Sequence, residues 1–113
     1  MSSLFSKRVV YEKKFLEKHP MEHIHAFSTD NEYTWYFLIR GAKNSILENG
    51  RYLGKMILPY SYPASPPDCW LFTPNGLINE GQKLYFANIH TPVLTIQGYI
   101  ANIHAMMEES VIV

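Results

Sequence analysis

Thiols are scarce in this chain: Cys69 is the only cysteine among 113 residues, which excludes an internal disulfide. A positively charged, long apolar start is also missing, so the expected setting is reducing, cytosolic or nuclear. No charge of one sign dominates, because ten Lys and Arg offset ten Asp and Glu. Without a basic footprint, nucleic acid is not an expected partner. No apolar run approaches the roughly 20 residues of a membrane span, so any anchor would have to lie in a tail outside this chain. Internal repeats, linkers and low-complexity stretches are lacking too, and the length suits one domain over residues 1–113 with one core.

What is present reads as an α+β domain. Residues 6–18 predict a helix, with Phe5, Val9, Glu12 and Leu16 on one stripe and Lys13, Lys14 and Glu17 free to face water. Pro20 stops it. A short strand is expected over 21–27, then a polar turn at 28–31 and the aromatic, β-branched strand Tyr33 to Arg40. After a second turn, Arg51 to Leu58 alternates Tyr52, Gly54, Met56 and Leu58 on one face. The segment 60–67 is too rich in proline for regular structure, and a fourth strand follows at Asp68 to Phe72. These strands, joined by short turns, form an antiparallel meander with one face for a helix. Residues 73–94 show no sustained period and read as a long structured loop, of a kind more often functional than accidental. A second helix is expected from Ile96 to Glu108, with Thr95 as its N-cap.

The motifs Leu58-Pro59-Tyr60-Ser61-Tyr62-Pro63 through Pro66-Pro67, Thr73-Pro74-Asn75-Gly76, Gly81-Gln82-Lys83-Leu84 and Phe37-Leu38-Ile39-Arg40-Gly41 stand in this order. Together they resemble the ubiquitin-conjugating enzyme family, nearest its tail-anchored endoplasmic-reticulum branch. The resemblance spans about residues 5–108 and implies the family fold: N-terminal helix, four-stranded meander, active-site loop and central helix. The expected fold within residues 1–113 is this arrangement with the family's further C-terminal helices missing. The resemblance also implies ubiquitin carried as a thioester on a cysteine, and that cysteine position, ten residues after Asn75, is Tyr85. Thiolate chemistry needs a soft nucleophile near neutral pH, and a phenol with a pKa of about 10 does not supply one. Asn75 matches the family's oxyanion-type asparagine, an amide donor aimed at developing charge. With no thioester beside it, the stronger reading is structural, since an asparagine before glycine is a common turn residue. Between Tyr85 and Thr95 the chain is shorter than the branch it resembles and lacks its tryptophan-containing segment.

The expectation is therefore a noncatalytic variant that pairs with an active conjugating enzyme or a ligase, or holds ubiquitin or a short peptide, without covalent chemistry. The alternative is an active enzyme using Cys69, although a thiol inside a strand is ordinarily buried and inert. A third reading is a degenerate paralogue without ubiquitin contact. By resemblance, Arg8, Lys13 and Lys14 on the first helix, with Tyr62 and Pro63, occupy docking positions. A solvated helix face and a rigid proline crossover are the structural alternatives. His19, His23 and His25 come with no cysteine or carboxylate cluster, so no metal is expected, and no cofactor. His90 and His104 read as ordinary polar contacts. The apolar end Ser110 to Val113 is expected to dock on the domain.

Overall fold

The computed structural model describes residues 4–41, 48–72, 83–84, 91 and 93–110. Its elements are α1 (Leu4–Lys18), β1 (Ile24–Ser28), β2 (Thr34–Arg40), β3 (Arg51–Ile57), β4 (Asp68–Leu71), β5 (Lys83–Leu84) and α2 (Ile96–Ser110). The strands form one antiparallel sheet in sequence order, as an antiparallel meander requires. The expected four strands are present, and a fifth, β5, falls inside the stretch read as loop. Two residues carry no periodicity, so nothing in the sequence announces it. β1 begins at Ile24 rather than residue 21 because Met21 and Ile24 bridge across a turn of their own.

Alternation decides what each strand buries. Trp35, Phe37 and Ile39 of β2, Tyr52, Gly54 and Met56 of β3, and Cys69 and Leu71 of β4 point inward. Against that face lie Ile96, Tyr99, Ile100, Ile103 and Met107 of α2. Each large aliphatic side chain so buried contributes about 1.5–3 kcal/mol. Gly54 pairs with Phe37, and a Cβ at residue 54 would collide with the Phe37 ring. Thr95 caps α2 as expected, its Oγ1 accepting the Gly98 N–H at 3.0 Å.

Helix α1 lies beside the N-terminal end of α2. Phe5 stacks on Tyr33 with ring centroids 4.3 Å apart, and Gln97 Nε2 donates to the His19 carbonyl at 2.7 Å. The connection between β1 and β2 is held by Asn31, whose Oδ1 accepts the Tyr33 N–H at 2.8 Å.

Candidate functional site

Three features of this fold could bear function: a buried polar junction behind α1, an apolar groove beside the proline segment, and the outer face of the sheet. The junction is built around Glu12, on the buried stripe of α1 and only 1% exposed. Its Oε2 accepts from Tyr62 Oη at 2.6 Å and from Arg8 Nε at 3.0 Å, one helical turn back. Its Oε1 accepts the Ile96 N–H at 3.0 Å, placing a carboxylate on the N-terminus of α2, where the helix dipole favours negative charge. Arg8 Nη2 completes the set by donating to the Leu94 carbonyl at 3.1 Å.

The protonation states follow from these contacts. Burial first, and the Glu12 charge second, push the Tyr62 phenol well above its ordinary range, so it donates as a neutral hydroxyl. Partial burial works against the Arg8 charge, but the Glu12 carboxylate and Tyr62 outweigh it and hold the guanidinium's proton more tightly. The junction thus fixes α1, the proline segment and the entry to α2 against one another.

Of the residues with docking positions by resemblance, Arg8 and Tyr62 belong to this junction. Arg8 is largely covered and Tyr62 buried, so neither presents its polar group to a partner. Lys13 and Lys14 are exposed on α1. Half-buried Pro63, whose peptide bond with Tyr62 is cis, lines the second feature, a groove of about 550 Å3 between Leu4, Phe5, Tyr60 and Ala64. Leu4 and Tyr60 stand 85% and 84% exposed at its rim. The five residues therefore split between interior, helix surface and groove. Glu12 lies on the stripe of α1 that the sequence pattern predicts, but its partners Tyr62 and Ile96 are not legible there. The signal for a partner of some kind was there: a carboxylate on an apolar stripe four residues after an arginine needs a buried partner.

Cys69 is 0% exposed, opposite Met56 on one side and Leu84 on the other. Burial, reinforced by the Asp68 charge, pushes its thiol well above the usual cysteine range. Such a thiol is neither ionised near neutral pH nor reachable. Asn75, Tyr85 and His90 lie outside the described residues, as do Val111 to Val113. The His23 and His104 rings lie 5.8 Å apart, and His19 lies against Phe15. Among the described residues no group of three potential ligands could hold a metal ion. No helix among them is long and apolar enough to cross a membrane.

The third feature is the outer face of the sheet, which no described helix covers. Phe27 opposes Tyr36, Leu38 opposes Leu53, and Lys55 opposes Trp70, giving a band across β1 to β4. Phe27 is 52% and Leu53 43% exposed, and Phe72 continues the band beyond β4.

Comparison with known proteins places this architecture. The family model for ubiquitin-conjugating enzymes matches residues 8–111. Ubiquitin-conjugating enzyme E2 J1 of human and of mouse is 39% identical over 108 residues, covering 83% of this chain and 34% of the relative. A ubiquitin-conjugating enzyme E2 J2-like protein of Dictyostelium discoideum is 36% identical, covering 68% of this chain and 46% of its own. The chain thus spans about a third to a half of the length of these curated relatives. Among solved structures, human ubiquitin-conjugating enzyme E2 G1 superposes with a TM-score of 0.81 at 20% identity, covering 95% of this chain and 97% of that one. A Plasmodium vivax ubiquitin-conjugating enzyme E2 gives 0.76 at 21% identity, over 88% and 98%. Those two likenesses concern the fold alone, but the family match runs through both helices and every strand, and the chain belongs to the ubiquitin-conjugating enzyme family.

Proposed function

We propose that this chain is a noncatalytic member of its family, a binding module that holds ubiquitin or an active conjugating enzyme without covalent chemistry. The observation that carries the reading is the state of the only thiol. Thioester transfer needs a sulfur that ionises and meets a bulky acyl donor, and Cys69 is enclosed between β3 and β5. Tyr85, at the position where the resemblance puts the cysteine, offers a phenol in its place.

The apolar band on the outer sheet face supports the binding half of the reading, since exposed apolar patches of this kind mark interaction sites. The groove beside Pro63 and the exposed Lys13 and Lys14 give a ligase or activating enzyme a second place to dock. We place the module on the cytosolic side of the cell, including the nucleus or the cytosolic face of the endoplasmic reticulum.

The test is a charging reaction with activating enzyme, ATP and ubiquitin, resolved on a nonreducing gel. No reducible adduct is expected. An adduct that disappears in Cys69→Ala would overturn the reading and make the chain an active enzyme working through that residue.

A further inference from the structure

β1 is the outer strand of the sheet, and among the described strands it is laddered with β2 alone. The Arg40 N–H donates to the His23 carbonyl at 2.9 Å, and the register continues as Ile24 opposite Ile39 and His25 opposite Leu38. In an antiparallel ladder hydrogen-bonded pairs alternate, so His25 and Phe27 turn their main chain toward β2, while Ile24, Ala26 and Ser28 turn theirs away. The bridge to Met21 occupies Ile24. Ala26 and Ser28 remain, and among the described residues neither has a main-chain partner on that side. They leave about 7 Å of open edge at about 3.4 Å per residue. Sheets usually blunt such an edge with charge or proline, and neither residue is either.

A cavity of about 180 Å3 lies beside this edge, lined by Leu16, Pro20, Met21, Ile24, Ala26 and Gln97 among others. Ala26 faces the same way as the buried Ile24, and directly opposed residues of neighbouring strands share a face. A residue paired with Ala26 would therefore project its side chain over the cavity, which the small methyl of Ala26 leaves open. Its two neighbours would turn to the outer face, beside His25 and the half-exposed Phe27.

We propose that the free edge of β1 receives an extended peptide as a sixth strand, with one aliphatic side chain of that peptide seated in the cavity beside Ala26. Main-chain pairing supplies the affinity and the cavity the selectivity. A second copy of this chain does not fit the same edge. Each copy would offer only this two-residue run, well short of the roughly 1,000 Å2 that a stable interface between folded domains requires.

The experiment titrates the isotope-labelled full chain with acetyl-Thr-Val-Leu-Val-Thr-amide and follows amide shifts and hydrogen exchange. Binding tighter than millimolar is expected, with the largest shifts at Ala26 and Ser28 and the Ala26 amide slowed by about tenfold or more at saturation. N-methylation of the peptide leucine, which removes the donor to the Ala26 carbonyl, is expected to weaken binding by about tenfold. Replacing that leucine by aspartate should do the same, as should Ala26→Leu, which fills the cavity from the protein side. Both peptide changes leave the protein untouched, so the test stands even if Ala26→Leu folds poorly. Binding that survives N-methylation, shifts centred on Tyr36 and Leu53 instead, or no binding at millimolar peptide would each overturn the proposal.

Discussion

A carboxylate as enclosed as Glu12 must be matched oxygen by oxygen, and it is: Tyr62 and Arg8 on one, the Ile96 amide on the other. Removing one partner of a buried charge costs about 3–5 kcal/mol, because the other is left without compensation. Glu12→Ala should therefore consume much of the stability of a domain this size, whose total is about 5–15 kcal/mol. Tyr62→Phe should cost less, about 1.5–3 kcal/mol, since Arg8 still reaches the same oxygen. Urea unfolding of the two variants checks the order, and a milder Glu12→Ala would refute the junction as described. The pH profile tests the same residues. Tyr62 and Cys69 both have folded pKa values raised above their unfolded ones. Their contribution is fully present below the unfolded values, about 10 for tyrosine and about 8.5 for cysteine, and is lost as pH rises through the folded values. Stability should thus hold through neutral pH and fall on the alkaline side, and Tyr62→Phe should remove the Tyr62 share of that fall while leaving that of Tyr99, which burial also raises. Unfolding midpoints between pH 7 and 11 would show it.

Among the elements, close packing of β2 on β3 has a sharp test at Gly54. A methyl there meets the Phe37 ring, itself wholly buried, so Gly54→Ala should destabilise by about 1–3 kcal/mol through overpacking, despite the better strand entropy of alanine. Thr95→Ala should cost about 1 kcal/mol by uncapping α2. Thermal unfolding followed by circular dichroism reads both. These elements were legible because their signals are local: an apolar stripe for α1 and α2, aromatic and β-branched alternation for β2, a hydroxyl before α2. Gly54 stood in the right place on β3, yet the reason it must be glycine is a ring from another strand. The site was less legible for the same cause. The spacing of Arg8 and Glu12 is local, but nothing near Tyr62 in sequence says that a glutamate 50 residues away would draw its hydroxyl inward. The resemblance puts Tyr62 among docking positions, whereas the side chain is buried and the exposed one beside the groove is Tyr60.

At the scale of the whole molecule, the sheet buries one face under α2 and leaves aromatic and aliphatic side chains on the other, where a monomer would ordinarily place polar ones. Phe27, Tyr36, Leu38 and Leu53 sit in register across three strands, so they form one patch rather than scattered apolar residues. Lys55, partly exposed opposite Tyr36 and Trp70, brings a positive charge to it. If this face holds ubiquitin, Tyr36→Ser combined with Leu53→Lys should weaken that binding by about tenfold or more. Stability should move by no more than about 0.5 kcal/mol per site, because these side chains already meet water. Lys13→Ala with Lys14→Ala, on the solvent side of α1, should leave ubiquitin binding unchanged. Titration of isotope-labelled ubiquitin with each double variant separates the two surfaces. A loss caused by the lysine pair alone would move the binding function from the sheet to the helix, since the two substitutions share neither an element nor a described contact.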